Sequence, residues 1–377
     1  MSKRLVVCCD GTWETANVRD LTNVAKIALA IAPEDSAGVE QRTYYQPGVG
    51  TRWLDKYAGA IFGLGVSPDV RNAYRYIVQN FDPGDELFLY GFSRGAFTAR
   101  SLAGFIRNSG VLRREHIDRL DDAYALYRNR NDAAHPRSVE ARLFRRAYSH
   151  ETRIRFIGVW DTVGALGIPL TGVPLVDLIN DRSRFHDTDL SSTVDAAFHA
   201  LAIDEHASLF RPTLWTSQKH APEHQRVEQV WFAGSHSDVG GGIRGHGLSD
   251  VALAWMVERS REYGLAFSPD DAAASEKSGA AEYGAATDIS PNPLGPLHTG
   301  HVGIFGLLPQ RYVRPLGAVD AAHEYLASTA QERHRLLPDY APPNLVAYLE
   351  RGAREMAVLP TTRARPVTGL VAARSGS

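Results

Sequence analysis

The stretch from Asp85 to Arg100, DELFLYGFSRGAFTAR, admits few folds. The apolar run Leu87-Phe88-Leu89-Tyr90 has the length of a buried strand. It runs directly into Gly91-Phe92-Ser93-Arg94-Gly95, and the residues that follow suit a helix. A serine flanked by glycines two before and two after, at a strand-to-helix turn, has the form of a nucleophile elbow. The glycines leave room where strand and helix nearly touch. The turn lifts the hydroxyl off the sheet edge, and the helix N-terminus places partial positive charge beneath it. Ser93 is the candidate nucleophile; a plain strand–helix turn is the alternative.

The rest of the chain alternates in the same way. Strands are expected at residues 5–9, 42–46, 87–90, 154–160 and 227–232, and helices at residues 17–30, 70–80, 97–107 and 248–261. Polar and glycine-rich residues close each strand, namely Asp10-Gly11-Thr12-Trp13, Asp161-Thr162-Val163-Gly164 and Gly234-Ser235-His236-Ser237-Asp238-Val239-Gly240. This pattern predicts an α/β fold with a mostly parallel central sheet flanked by helices and a site along the C-terminal edge of its strands. Two segments depart from it: a charged helical excursion over about 111–150 and an Ala/Ser/Gly/Asp-rich loop over about 268–292, read as mobile. Residues 1–350 are expected to form one domain and 351–377 a tail.

A chain of 377 residues can bury one large core. A net charge of -2 gives no electrostatic reason to expect nucleic acid. The only cysteines, Cys8 and Cys9, are adjacent in a strand and should point to opposite sheet faces as free thiols; two cannot make a four-cysteine zinc site. The N-terminal apolar run is too short for a signal peptide or a membrane span. A cytoplasmic protein is the default expectation, with secretion by a route that needs no cleaved signal kept open. Oligomeric state is left open.

Five motifs in order carry a resemblance: Asp10-Gly11-Thr12-Trp13; Tyr44-Tyr45 with Gly48-Val49-Gly50-Thr51; Gly91-Phe92-Ser93-Arg94-Gly95-Ala96; Gly158-Val159-Trp160-Asp161-Thr162-Val163-Gly164; and the run from Gly234 to Gly242. Together they resemble the DUF2235 family, which includes the catalytic domain of the Tle1-like type VI secretion phospholipase effectors, over residues 4–350. The resemblance implies an α/β-hydrolase core, serine esterase chemistry and, as in characterised effectors, phospholipase A activity.

A serine hydroxyl needs a histidine base and a carboxylate to orient that base. In this fold class the chain order is Ser, acid, His. Asp238 and Asp161 both close strands downstream, with Asp238 placed first; helix capping is the bland reading of each. His298 meets the expected order and is placed ahead of His236, which lies two residues from Asp238 and would share its direction if that loop were extended. Around His298 the chain departs from the family's Leu-His-Asp-Ser stretch, with Thr299 and Gly300 following. His301 is a further candidate, and His199 reads as a core histidine on an apolar helical stretch. Near Leu326-Ala327-Ser328 an alanine stands where many relatives have a histidine. Oxyanion donors are expected from the Arg94 amide and from Gly11 or Thr12. The Arg94 side chain is expected to pair with a buried carboxylate such as Asp10.

The leading reading is a serine-dependent hydrolase of lipid or phospholipid acyl esters, acting through an acyl-enzyme on Ser93. It needs no cofactor and no metal, and makes only transient contact with a membrane surface. An apolar trough for the acyl chain is sought in Phe62, Leu64, Val66 and the run 166–175. Two alternatives stand beside it. Asp10, Asp161, Asp238 and His236 could ligate a divalent ion in a metal-dependent phosphoesterase; or the fold is a degenerate hydrolase acting as a binding protein.

Overall fold

The structure is a computed structural model that describes residues 2–11, 20–48, 66–129, 131, 135–164, 190–216, 221–268, 289–298 and 312–358. Thr12, Trp13, Thr51, Phe62, Leu64, the run 166–175, the loop 270–288 and Thr299, Gly300 and His301 lie outside the described residues, as does the side chain of Val66.

Eight strands form one sheet, in the order β10-β9-β8-β7-β6-β3-β1-β2, and every pairing is parallel. They are β1 (Arg4–Cys9), β2 (Gln41–Gln46), β3 (Glu86–Phe92), β6 (Ile154–Trp160), β7 (Ala196–Ala202), β8 (Arg226–Phe232), β9 (Glu324–Ala327) and β10 (Glu355–Met356). The parallel central sheet flanked by helices that the alternating pattern predicts is therefore present. Strands β1, β3, β6 and β7 are buried along almost their whole length because both faces are covered. Val6 and Cys8 join a core with Val24 and Ile27 of helix α1 (Asn23–Ala30) and Val251, Trp255 and Met256 of helix α7 (Gly247–Glu262). Leu5, Val7 and Cys9 face the other way, onto Tyr74 and Ile77 of α2 (Val66–Asn80) and Leu102 and Phe105 of α3 (Arg94–Ser109). The two cysteines are buried free thiols on opposite faces, as strand alternation requires.

The described residues of 111–150 include a 3-10 turn (Arg114–Arg119), α4 (Leu120–Arg128) and α5 (Val139–Tyr148). An antiparallel ribbon of β4 (Val111–Leu112) and β5 (Ser149–His150) closes the segment at its base. The remaining helices are α6 (His236–Gly240), α8 (Ser328–Leu336) and α9 (Pro343–Glu350). Two expectations need correction. His199 lies on β7, a central strand, and not on a helix. The segment after Gly234 is a helical turn, α6, and not an extended loop. Among the described residues no helix is long and apolar enough to cross a membrane.

Candidate active site

β1 is flanked by β2 on one side and β3 on the other, so the order of strands reverses there. A crevice at the C-terminal strand edge is expected at such a point, and Ser93 stands at the end of β3. Its φ of 57° is in the left-handed region, which a residue other than glycine adopts only when its surroundings hold it there. Those surroundings are tight. A Cβ on Gly91 would come within 2.4 Å of the Gly95 carbonyl oxygen, and one on Gly95 within 2.0 Å of the Cys9 carbonyl oxygen. Both glycines of the elbow are required by contact between backbones. The Ser93 N–H donates to the Trp160 carbonyl at 3.0 Å, tying the turn to the end of β6.

Asp161 is the first residue after β6. Phe92 pairs with Trp160 in the sheet register, so Ser93 and Asp161 leave neighbouring strand ends side by side. Asp161 also has positive φ, 38°, and its carboxylate is fully buried. One oxygen, Oδ2, accepts from His236 Nδ1 at 2.5 Å and from Arg314 Nη2 at 2.9 Å. The other, Oδ1, accepts from Arg314 Nη1 at 2.6 Å and from the Ala202 N–H at 3.1 Å. Burial alone would raise the Asp161 pKa. The Arg314 charge and the hydrogen bonds from His236 and Arg314 outweigh it and hold the carboxyl well below the usual range.

The His236 ring packs on Phe92 and on Phe210, each with its centroid 4.7 Å away. The residue immediately before the elbow serine thus packs on this imidazole. The backbone N–H of His236 donates to Glu205 Oε2 at 3.2 Å, which fixes the start of α6.

Asp238 and His298 form a second pair, Oδ1 to Nδ1 at 2.6 Å. Asp238 Oδ2 accepts from the Ser235 N–H and hydroxyl and from the His298 N–H, each at 3.0 Å. It caps α6 and ties the 289–298 segment to it. Residues 236 and 238 are about 200° apart around a helix. The Asp238–His298 pair therefore sits on the opposite side of α6 from His236, Phe92 and Asp161. An extended loop, the condition under which His236 and Asp238 would share a direction, is replaced by this helical turn.

The Gly11 N–H, a candidate oxyanion donor, donates to Asp10 Oδ1 at 2.7 Å. The other Asp10 oxygen accepts from Thr22 Oγ1 at 2.7 Å and from the Tyr45 hydroxyl at 2.6 Å. Arg94 sits in the field of Asp69. Burial lowers the Arg94 guanidinium to about 10 against that charge. Burial also raises Asp69 to about 6, opposed by a hydrogen bond from Gln46 and by the Arg94 charge. His199 is buried; its Nε2 accepts from the Thr162 N–H at 3.1 Å, and burial lowers its pKa to about 3. The core reading of this histidine holds on a strand.

The suspected metal ligands do not share a centre. Arg314 and His236 occupy Asp161, the Tyr45, Thr22 and Gly11 donors occupy Asp10, and Ser235 and His298 occupy Asp238. Among the described residues no group of three or more His, Cys, Asp or Glu side chains is arranged to hold a metal ion.

A family model for the type VI secretion phospholipase effector Tle1-like catalytic domain matches residues 3–259. The chain belongs to this family. It is 28% identical over 243 residues to the uncharacterized protein YEL023C of Saccharomyces cerevisiae, covering 59% of this chain and 34% of that one, so it spans about a third of the length of that relative. Among solved structures, it is similar to the Tle1 effector bound to the VgrG spike, at 16% identity and TM-score 0.46, covering 78% of this chain and 77% of that one. It is also similar to an uncharacterized Pseudomonas aeruginosa protein, at 19% identity and TM-score 0.43, covering 77% and 49%. Arg314, at the centre of the Asp161 network, lies beyond the matched residues and stands in no sequence motif.

Proposed function

We propose that the protein hydrolyses carboxylic acyl esters of lipids through an acyl-enzyme on Ser93, with His236 as base and Asp161 as the acid that orients it. Membership of a phospholipase effector family supports a lipid hydrolase. The observation that carries the residue assignment is the His236 ring, packed on Phe92 and bonded through Nδ1 to the register neighbour of Ser93. The chain order Ser93, Asp161, His236 also agrees with the order this fold class uses.

In this reading Asp161 keeps the His236 proton on Nδ1, which leaves Nε2 as the base. Ser93 Oγ attacks the ester carbonyl as its proton passes to Nε2. The Arg94 amide, first of α3, donates to the developing oxyanion, and the positive end of that helix supports it. The alcohol portion of the lipid leaves with the proton from Nε2. Water then repeats the sequence on the acyl-serine and releases the fatty acid. Asp238 and His298 hold α6 in place and take no proton.

A fluorophosphonate probe should label the wild-type protein at Ser93 and leave Ser93→Ala unlabelled, with turnover of a short-chain ester reduced by at least about 10³-fold in the folded variant. Mixed phospholipid vesicles should yield free fatty acid and lysolipid. Release of a phosphorylated head group, or equal rates for wild type and Ser93→Ala, would refute the proposal.

A further inference from the structure

Arg314 is fully buried, and its guanidinium makes four hydrogen bonds. Two run in parallel to the two oxygens of Asp161, a fork that fixes the plane of the carboxylate as well as its position. The other two go to the Ala202 carbonyl at 2.9 Å, at the end of β7, and to the Phe210 carbonyl at 2.7 Å, in the 3-10 turn Ser208–Phe210. Those carbonyls set the guanidinium independently of Asp161. Asn344 of α9 holds the Arg314 carbonyl at 3.3 Å, so the arginine is fixed at its backbone as well. Stability alone is a weak reason for such a pair, since a buried ion pair is often no better than apolar residues of the same volume.

What the arrangement changes is the field on the imidazole. A carboxylate bonded to histidine alone favours the imidazolium. Here an equal and opposite charge binds the same carboxylate, and both of its oxygens are committed. We propose that Arg314 is a positioning residue for Ser93 chemistry: it orients Asp161 toward His236 Nδ1 and offsets the carboxylate charge, so that the imidazole stays neutral, and active as a base, at lower pH. The inference rests on the reading of Ser93, His236 and Asp161 as a catalytic triad.

Other charged groups surround the pair. Glu205 accepts from the His236 amide, Asp204 precedes it, and Asp238 lies two residues along α6. On the Asp161 side stands His199 of β7, which feels the charges of Asp161, Arg314 and Arg100 of α3. Arg314 differs from all of these in bonding both oxygens of the acid.

The test is the pH profile of kcat/KM for a soluble short-chain ester, measured for wild type, Arg314→Lys and Arg314→Met. Arg314→Met removes the charge and keeps the volume, and its acid limb should move to higher pH by about one to two units. Arg314→Lys keeps the charge but cannot span both oxygens. Its kcat should fall at least about tenfold from lost orientation, with its acid limb within about half a unit of wild type. A purely structural arginine would lower the folded fraction and leave both acid limbs in place, and that result overturns the proposal. If Arg314→Met does not fold, Arg314→Lys decides alone: full kcat, or a displaced acid limb, overturns it. Fluorophosphonate labelling of the wild type separates the two readings. A wild type that is not labelled at Ser93 defeats the triad itself, whereas labelling with unmoved profiles defeats only the role of Arg314.

Discussion

The His236–Asp161 and His298–Asp238 pairs can be told apart by one substitution in each. Asp161→Asn is isosteric but removes a charge bonded by both arms of Arg314 and by His236. The amide oxygen can take the place of Oδ1 and keep the Arg314 Nη1 and Ala202 bonds. The amide NH₂ then faces Arg314 Nη2 and His236 Nδ1, donor against donor. Two losses follow. Stability should fall by about 3–5 kcal/mol, because a buried guanidinium loses its counter-charge. Turnover should fall about 10⁴-fold, because the imidazole is driven to the wrong tautomer; that is about 5.4 kcal/mol of transition-state stabilisation. Asp238→Asn should behave differently. Its oxygen can sit at the Oδ2 position and accept from Ser235 and His298, while the NH₂ meets His298 Nδ1 as an acceptor. A cost of about 1 kcal/mol and turnover within about tenfold of wild type are expected. Urea unfolding and ester hydrolysis, assayed where both variants are folded, give the comparison. If folded Asp161→Asn retained wild-type turnover while Asp238→Asn lost about 10³-fold or more, the assignment of acid and base would be reversed.

Gly95→Ala should unfold the protein or lower its stability by about 3 kcal/mol or more, because the new methyl meets the Cys9 carbonyl oxygen at 2.0 Å and no rotamer relieves it; a variant with an unchanged urea midpoint would show that β1 and α3 can separate freely. Asp204 provides a test of pH dependence. Burial raises its carboxyl to about 6, against hydrogen bonds from Gly234 and Tyr340. The native state then binds more protons than the unfolded chain between about pH 4 and 6, so this group makes stability fall as pH rises through that window. Both hydrogen bonds land on Oδ2, where an amide oxygen can accept them. Asp204→Asn should therefore gain about 1–3 kcal/mol at pH 7.5 and nothing at pH 4, read from urea midpoints at the two values; a loss at pH 7.5 would contradict it.

Much of this architecture is legible along the chain because its signals are local. The elbow, the short apolar strands and the glycine-rich strand ends follow from sterics and burial within a few residues. β7 reads less well, since Ala196-Ala197-Phe198-His199-Ala200-Leu201-Ala202 is rich in alanine and has no β-branched residue. Its place in the middle of a parallel sheet overrides local propensity. The partner of His236 is hidden for a different reason. Asp238 is two residues away in sequence, but one helical turn directs it elsewhere, whereas Asp161 is 75 residues away and arrives through strand order. Gly11 is a turn glycine in sequence, and only the bond to Asp10 shows that its amide is already used. Arg314 carries no local signal at all, because its meaning depends on the carbonyls of Ala202 and Phe210 that converge on it.

The reach of this chemistry past the family match has a practical consequence. The matched residues stop at 259, inside α7. A fragment cut there would carry the elbow, Asp161 and His236, and would look complete by inheritance. It would lack Arg314 against Asp161, His298 against Asp238, and Glu324, which accepts the Trp231 indole N–H at 2.9 Å. It would also lose β9, the strand that pairs with β8. The portion that defines kinship and the portion that builds the site and the sheet are therefore different lengths of chain, the second reaching β10 at the sheet edge.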